Sequence, residues 1–251
     1  MIAVYVRQIA TAAAVIVIGT TILVGGDPMD SRMSQEARHK IPPIDAQAPE
    51  KIETATFALG CFWGPDGRFG ILPGVIRTRV GYAGGTSEHP TYHNIDGHAE
   101  TIQIDFDPAV ISYSELLEIF WESHAPFHSP YSSQYRSMIF FHNEQQRELA
   151  EASLEAQASR RDSRPLTEVV PYEEFTRAED YHQKYRLQNK PVLSGELRAR
   201  FETFDAFVDS TAVARLNGYL AGWGSAAQLE GEIDSFDLSE LAEEVLRQHV
   251  R

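Results

Sequence analysis

The sequence predicts a mixed α/β fold, with a two-layer α/β sandwich core, a mixed sheet and a helical C-terminal extension. Three observations predict it. Short runs alternate apolar and polar residues with period two, longer runs repeat apolar residues at helical spacing, and the two kinds of segment follow one another along the chain. Hydrophobic residues make up 43% of the 251 residues, which is enough for a substantial core.

The N-terminal part of the chain is expected to lie outside that core. Residues 9–26 form an uncharged run of 18 residues, close to the ~20 that a membrane-spanning helix needs. An uncleaved membrane anchor and a signal peptide are both compatible with residues 1–26. So is a true translation start at Met29 or Met33, in which case the segment is never made. Residues 27–52 are polar and contain prolines, which is typical of a linker.

Residues 53–190 carry the pattern of the core domain. The first strand follows from the alternation of Ala55, Phe57 and Leu59, and Gly60 ends it. Further strands are predicted where β-branched or aromatic runs are bounded by turn signals, at 74–85, 100–106, 137–141 and 167–170. Helices are predicted at 62–69, after the capping-box pattern of residues 112–115, and at 144–161 and 178–188.

Residues 191–251 differ in character from the core. Apolar residues recur there at helical spacing, which predicts helices at 198–208, 211–220 and 238–250. The apolar faces of these helices need a partner surface. We therefore expect a helical extension that packs on the core and is not a second catalytic unit.

Composition excludes several classes of protein. The net charge of −14 and the lack of a basic stripe argue against a nucleic-acid-binding protein. Cys61 is the only cysteine, so the chain forms no internal disulfide and no cysteine-based zinc site. The remaining question is what this single thiol does.

Cys61 lies in the stretch that the rest of the chain is organised around. A strand, Gly60 and then a helix would place Cys61 near a helix N-terminus, where free N–H groups and the helix dipole favour a thiolate. Phe62 and Trp63 add apolar surface beside it. This pattern indicates an activated thiol next to an aromatic pocket, although a lone cysteine is more often a small buried hydrophobe.

Several motifs then occur in a recognisable order: GCFWG at 60–64, GHAE at 97–100, QYRS at 134–137 and AEDYHQKY at 178–185. Over about residues 55–188 the chain resembles the A-type peptide-methionine (S)-S-oxide reductases. The resemblance implies an enzyme of protein repair and oxidative stress, which reduces methionine S-sulfoxide, protein-bound or free, to methionine.

The resemblance also implies a set of site residues. Cys61 corresponds to the nucleophile, which becomes a sulfenic acid, and Glu100 to the acid that protonates the sulfoxide oxygen. To be protonated, Glu100 should be buried, because burial raises the pKa of a carboxyl group. Tyr92 and Tyr135 correspond to hydroxyls that bind that oxygen, and Phe62 and Trp63 to the walls around the S-methyl group. On the residues alone, an exposed strand-edge carboxylate would be the better interpretation of Glu100, and the aromatic residues could be ordinary core.

Two features depart from the family pattern. No second cysteine is available to resolve a sulfenic acid, so an external reductant, a thioredoxin-like protein or a small-molecule thiol, must reduce Cys61 directly. Pro130 stands where an aspartate is usual, so the substrate preference could differ. We expect no bound cofactor and no metal, a monomer, and a location in the cytoplasm or at a membrane through residues 9–26.

Three alternatives remain open at this point. A metal-dependent hydrolase could use His89, His93, His98 and Glu100 as ligands. A cysteine hydrolase could pair Cys61 with His182. A non-catalytic module of the same fold could bind methionine-containing segments.

Overall fold

The structure is a computed structural model, and it describes residues 40–47, 49–161 and 163–250. The hydrophobic segment 1–26 and most of the predicted linker 27–52 lie outside the described residues. Within the described part of the chain, no helix combines the length and the apolar character needed to cross a membrane.

A six-stranded mixed sheet forms the centre of the fold. Its strands, in chain order, are β1 (Glu53–Leu59), β2 (Val75–Ala83), β3 (Ala99–Phe106), β4 (Ser137–Phe141), β5 (Glu168–Pro171) and β6 (Phe175–Arg177). They are arranged in the order β5-β4-β1-β3-β2-β6, and all neighbours are antiparallel except the parallel pair β4 and β5. The predicted mixed sheet is confirmed. The sequence pattern did not predict the three-residue β6.

Two helices pack on one face of this sheet. They are α2 (Tyr113–Glu122) and α3 (Glu144–Arg161), and the capping box at the start of α2 is formed by Ser112 and Glu115 as predicted. The core between helices and sheet is built around Phe57, Ile104 and Phe120, which are fully buried. The mixed α/β prediction therefore holds for this half of the molecule.

Helix α1 (Trp63–Gly70) follows β1 directly. Gly60 joins the two with a φ of +100°, which a residue with a side chain rarely adopts. Cys61 and Phe62 lie between this glycine and the first helical residue. The strand-to-helix turn places the thiol at the start of α1, as the sequence predicts.

The predicted helix at 178–188 is wrong. A 3₁₀ turn, Asp180–His182, and a short helix α4, Tyr185–Gln188, occupy that segment, separated by Lys184 in the left-handed region at φ +49°. The cause is tertiary. The Gln183 side chain accepts from the Val80 N–H (3.1 Å) and donates to the Val80 carbonyl (2.8 Å), and these bonds hold the segment against β2 instead of in a helix.

The C-terminal part is helical, although its boundaries differ from those predicted. It contains α5 (Pro191–Arg198), α6 (Phe204–Val208), α7 (Thr211–Leu220), α8 (Ala226–Glu232) and α9 (Glu240–His249). The predicted helix at 198–208 is wrong in its first half, because α5 ends where it was expected to begin. Pro191 at the first turn of α5 was the sequence signal for the correct start. The signal for α8, which was also not predicted, was its cap Ser225.

These five helices, called the helical unit below, enclose a second apolar cluster that packs against the end of α1. Helix α7 crosses α1 at close range, because a Cβ on Gly70 would lie 2.5 Å from the Ala214 carbonyl oxygen and one on Gly218 would lie 2.8 Å from the Gly67 carbonyl oxygen. The helical unit is therefore in direct contact with the helix that follows the thiol.

A short part of the predicted linker also contacts the helical unit. The 3₁₀ turn Pro43–Ala46 presents Asp45 to the N-terminus of α7, where its carboxylate accepts from the Thr211 and Ala212 N–H groups and from the Ser210 hydroxyl. The domain boundaries at 53, 190 and 191 remain predictions.

Candidate active site

The Cys61 thiol opens the candidate site, and the residue is exposed. Loss of water around its sulfur nevertheless raises the pKa of Cys61 above its ordinary value, and the neighbouring Glu100 raises it further. The Trp63 N–H and the charge of Arg186 act in the opposite direction, without reversing the shift. Burial thus acts against the thiolate that the position at a helix N-terminus was expected to favour.

Glu100 is the buried acid of the site. Its side chain projects from β3, the residue is 1% exposed, and its carboxyl accepts from the Phe62 N–H (3.1 Å) and from Gln134 Nε2 (3.3 Å). Burial raises the pKa of Glu100, whereas these two hydrogen bonds and Cys61 lower it. The alternative of an exposed strand-edge carboxylate is thus excluded, and Gln134 is a neighbour that sequence reasoning missed.

Trp63 forms one wall beside the thiol. Its ring stacks on that of Tyr185, with centroids 3.9 Å apart and an angle of 8° between the planes. Phe62 contributes less surface than expected, because it is 1% exposed and its ring packs 6.1 Å from Tyr82. Phe62 is therefore part of the buried packing, whereas Trp63 and Tyr185 are only half-buried.

His182 holds the aromatic residues together. Its ring lies 5.1 Å from Phe62, 5.7 Å from Trp63 and 4.8 Å from Tyr92, and the residue is 2% exposed. Tyr92, which is 29 positions from Trp63 in sequence, is brought to the same cluster in this way. The pattern AEDYHQKY was the signal for His182 and Tyr185, neither of which was assigned to the pocket.

Glu179 fixes the loop that carries Tyr92. Its carboxylate accepts from the Tyr82 hydroxyl (2.8 Å) and from the Tyr92 N–H (3.0 Å). These bonds and His182 lower the pKa of Glu179 although burial acts against them. An ionised Glu179 therefore anchors the Tyr92 loop to β2, and sequence reasoning did not find it.

Tyr135 also lies near Glu100. It ends the 3₁₀ turn Ser133–Tyr135 next to Gln134, and burial together with the nearby Glu100, Tyr92 and Cys61 raises its pKa. The structure thus brings together the thiol, the acid and both tyrosines. Pro130, in contrast, lies exposed in the preceding loop.

The histidines of the alternative metal site are not clustered. His89 and His93 are exposed in the loop after β2, while His98 is buried, with its Nε2 3.0 Å from the Ser87 carbonyl. Among the described residues, no group of three or more metal-ligating side chains is close enough to hold an ion. His182 faces aromatic rings, and its nitrogens contact no hydrogen-bond partner in the described chain, so it does not form a dyad with Cys61.

Comparison with known proteins agrees with this geometry. The sequence model of a family described as peptide methionine sulfoxide reductase matches residues 53–210. The chain belongs to the peptide methionine sulfoxide reductase family. A second family model, for the helical domain of selenoprotein methionine sulfoxide reductase A, matches residues 205–250.

Individual relatives extend the match. A peptide methionine sulfoxide reductase of Drosophila melanogaster is 42% identical over 199 residues, which are 78% of this chain and 80% of the relative. The enzyme of Methanococcoides burtonii is 49% identical over 145 residues, 53% of this chain and 95% of the relative. The crystal structure of reduced Mxr1 from Saccharomyces cerevisiae superposes with a TM-score of 0.53 at 28% identity, and covers 57% of this chain and 88% of its own.

The function follows from this membership. As a peptide methionine sulfoxide reductase, the chain is an oxidoreductase that acts on sulfur, a peptide-methionine (S)-S-oxide reductase, and it repairs oxidised proteins by thiol-based reduction of methionine sulfoxide. The hydrolase alternatives and the non-catalytic module are not favoured.

Proposed function

We propose that Cys61 is the nucleophile of this reductase and Glu100 its acid. The observation that carries the assignment is the position of one buried carboxyl against the only thiol of the chain. Burial raises the pKa of this carboxyl and so favours the protonated form, which can give its proton to the sulfoxide oxygen.

The reaction balances with these two groups. The Cys61 sulfur attacks the sulfoxide sulfur and forms a sulfur–sulfur bond while Glu100 gives a proton to the sulfoxide oxygen. The hydroxyl then passes to the Cys61 sulfur, and the sulfur–oxygen bond of the substrate and the sulfur–sulfur bond both break. The thiol proton replaces the one that Glu100 gave. Methionine leaves, the substrate sulfur is reduced by two electrons, and Cys61 is oxidised by two electrons to the sulfenic acid.

The aromatic residues hold the substrate. Trp63 offers the apolar face for the S-methyl group, backed by Tyr185 and by the buried Phe62. Tyr135 lies near Glu100, Tyr92 and Cys61, and the hydroxyls of the two tyrosines would donate hydrogen bonds to the sulfoxide oxygen.

An external thiol completes the cycle. One thiol condenses with the sulfenic acid, releasing water and forming a mixed disulfide on Cys61, and a second thiol displaces it to restore Cys61. Since Cys61 is the only cysteine and is exposed, the reductant reaches it directly, and both a thioredoxin-like protein and a small-molecule thiol meet the chemical requirement.

A single-turnover experiment tests the assignment. The full chain, reduced and freed of thiol, is mixed with each epimer of methionine sulfoxide, the methionine is counted, and sulfenic acid is trapped with dimedone. We expect about one methionine per chain from the S epimer, with the adduct on Cys61.

Cys61→Ser is the matched variant, because it replaces one atom and leaves the fold in place. It should give no methionine and no adduct. Methionine at the wild-type rate from Cys61→Ser, or methionine without any adduct in the wild type, would refute the one-cysteine mechanism.

A further inference from the structure

A buried ion pair lies behind the aromatic wall. Lys184 is 0% exposed, and its ammonium donates to Asp66 Oδ1 (2.8 Å) and to the Thr78 carbonyl (2.6 Å). Asp66 is 1% exposed and lies on α1, one turn after Trp63. Lys184 immediately precedes Tyr185. Each member of the ion pair therefore lies within three residues of one member of the aromatic stack.

The backbone is tied to the same carboxylate. The Lys184 N–H donates to Asp66 Oδ2 (3.1 Å), at the position where the chain adopts its left-handed conformation. Lys184 is thus held to α1 by its side chain and by its main chain. This double attachment fixes the backbone position of the next residue, Tyr185, and hence the distance and angle between its ring and that of Trp63.

The helical unit supplies the remaining partner. Asn217 of α7 is 0% exposed, its Nδ2 donates to Asp66 Oδ2 (3.1 Å), and its Oδ1 accepts from the Leu187 N–H (3.1 Å). One amide therefore bridges α1 and α4, the two elements that carry Trp63 and Tyr185. No other hydrogen bond in the described chain joins the helical unit to both elements in this way.

We propose that Asn217 is a positioning residue of the reductase site: through Asp66 and Lys184 it holds the Trp63–Tyr185 stack that forms the methyl-binding wall. The helical unit then takes part in substrate binding without touching the substrate. The proposal rests on the proposed function of Trp63, and part of its test does not depend on activity.

The physical reason is the cost of an unsatisfied buried charge. With Asn217 in place, the Asp66 carboxylate accepts from an ammonium, two N–H groups of different elements and the Thr78 hydroxyl (2.6 Å). Removal of the amide leaves one lone pair of a buried carboxylate without its donor and the Leu187 N–H without its acceptor. The local response is a shift of α4 against α1, which moves the stack.

Asn217→Ala tests the proposal, with Tyr219→Phe as the matched control. Tyr219 lies on the same helix, is 1% exposed and donates to Glu232 inside the helical unit, so its loss weakens the unit without touching the network. Both variants are compared as full chains under conditions where circular dichroism shows them folded. Asn217→Ser, which keeps a polar group, replaces Asn217→Ala if the latter does not fold.

Three readouts separate positioning from general stability. For Asn217→Ala we expect kcat/KM for methionine sulfoxide to fall about tenfold, mainly through KM, since misplacement by ~1 Å can cost up to about 10²-fold. Trp63 fluorescence should change, and this change should vanish in a Trp63→Phe background. The rate of Cys61 alkylation by iodoacetamide should also change, because Arg186, whose charge lowers the pKa of the thiol, moves with α4.

Tyr219→Phe should leave all three readouts as in the wild type. Equal kinetic loss in both variants, or unchanged Trp63 fluorescence in Asn217→Ala, overturns the proposal. If the wild type itself fails to reduce methionine sulfoxide, the proposed function fails, and the fluorescence and alkylation results still decide whether Asn217 holds the stack.

Discussion

At the scale of single residues, the thiol and the carboxyl have to be considered as a pair. Glu100 raises the pKa of Cys61, the hydrogen bond with Cys61 lowers the pKa of Glu100, and burial raises both pKa values. In both groups burial favours the uncharged form, which suits a site that binds a neutral sulfoxide.

Glu100→Gln should reveal the Glu100 proton in the pH dependence. The acid acts only when protonated, so wild-type single-turnover rates should fall as the pH rises through the raised pKa of Glu100. Glu100→Gln should lower the rate by about 10²–10⁴-fold and remove that pH limb. Glu148→Gln, a change on an exposed face of α3, is the control and should reproduce the wild-type profile. A retained limb in Glu100→Gln would assign the proton to another group.

Arg186 is the cation that lowers the pKa of Cys61. Arg186→Gln should therefore move the pH profile of Cys61 alkylation by iodoacetamide to higher pH, and slow the reaction at neutral pH. Arg164→Gln is the control, since Arg164 pairs with Glu155 on the surface and does not affect the thiol. An unchanged alkylation profile in Arg186→Gln would show that solvent screens this charge.

Sequence reasoning found residues that sit in motifs and missed those that act through tertiary contact. Cys61 and Glu100 carried a chemical signature, and the structure places them side by side. The sequence prediction weighed the helix N-terminus beside Cys61 without the desolvation that only the folded chain reveals, and this desolvation raises the pKa of the thiol. Asn217 had no local signal, since its partners are Asp66 and Leu187, far away in sequence.

At the scale of elements, the contact between α1 and α7 depends on residues without side chains. Gly70→Ala should destabilise the protein by about 1–3 kcal/mol, because its Cβ would lie 2.5 Å from the backbone of Ala214 and the helices would have to separate. Urea unfolding measures this change. Gly195→Ala, in an exposed turn of α5 where a Cβ meets nothing within 4 Å, should be neutral or stabilising.

The separation of α1 and α7 in Gly70→Ala should also affect the active site. Since α1 begins beside the thiol, Gly70→Ala should also lower kcat/KM, whereas Gly195→Ala should not. Equal stability of the two variants would mean that the helices can adjust their distance freely.

Elements with their own periodic signal were predicted well, and those made by distant partners were not. The helix at 144–161 was predicted with the bounds that the structure has. The segment at 178–188 was mispredicted because its hydrogen bonds go to β2 and α1 instead of to itself. The spacing of apolar residues reflects local helix preference only. It does not predict that Lys184 is buried in a left-handed conformation, because distant partners cause that conformation.

At the scale of the whole molecule, residues from both ends of the described chain meet at α7. Asp45 caps this helix from a position 166 residues before Thr211. Asp45→Ala should lower the free energy of unfolding by about 1 kcal/mol, the typical loss of a helix cap, and leave kcat/KM near the wild-type value.

Glu240→Ala is the matched control for that prediction. Glu240 is an exposed acid in the first turn of α9 and acts on its helix only through the dipole, so its loss should cost less than that of Asp45. If Asp45→Ala and Glu240→Ala unfold at the same urea concentration, the turn at residues 43–46 does not contribute to stability.

The outer strands of the sheet affect whether the enzyme aggregates with the oxidised proteins that it repairs. Strands β5 and β6 form its two edges; the first ends in Pro171, the second has three residues, and residues 172–174 connect them. An unfolded segment of an oxidised protein has unpaired backbone groups, which can pair with an open sheet edge. The two edge strands of this sheet are short, with four and three residues, so they give a substrate protein little backbone to pair with. An oxidised methionine can therefore reach the site without its chain adding to the sheet.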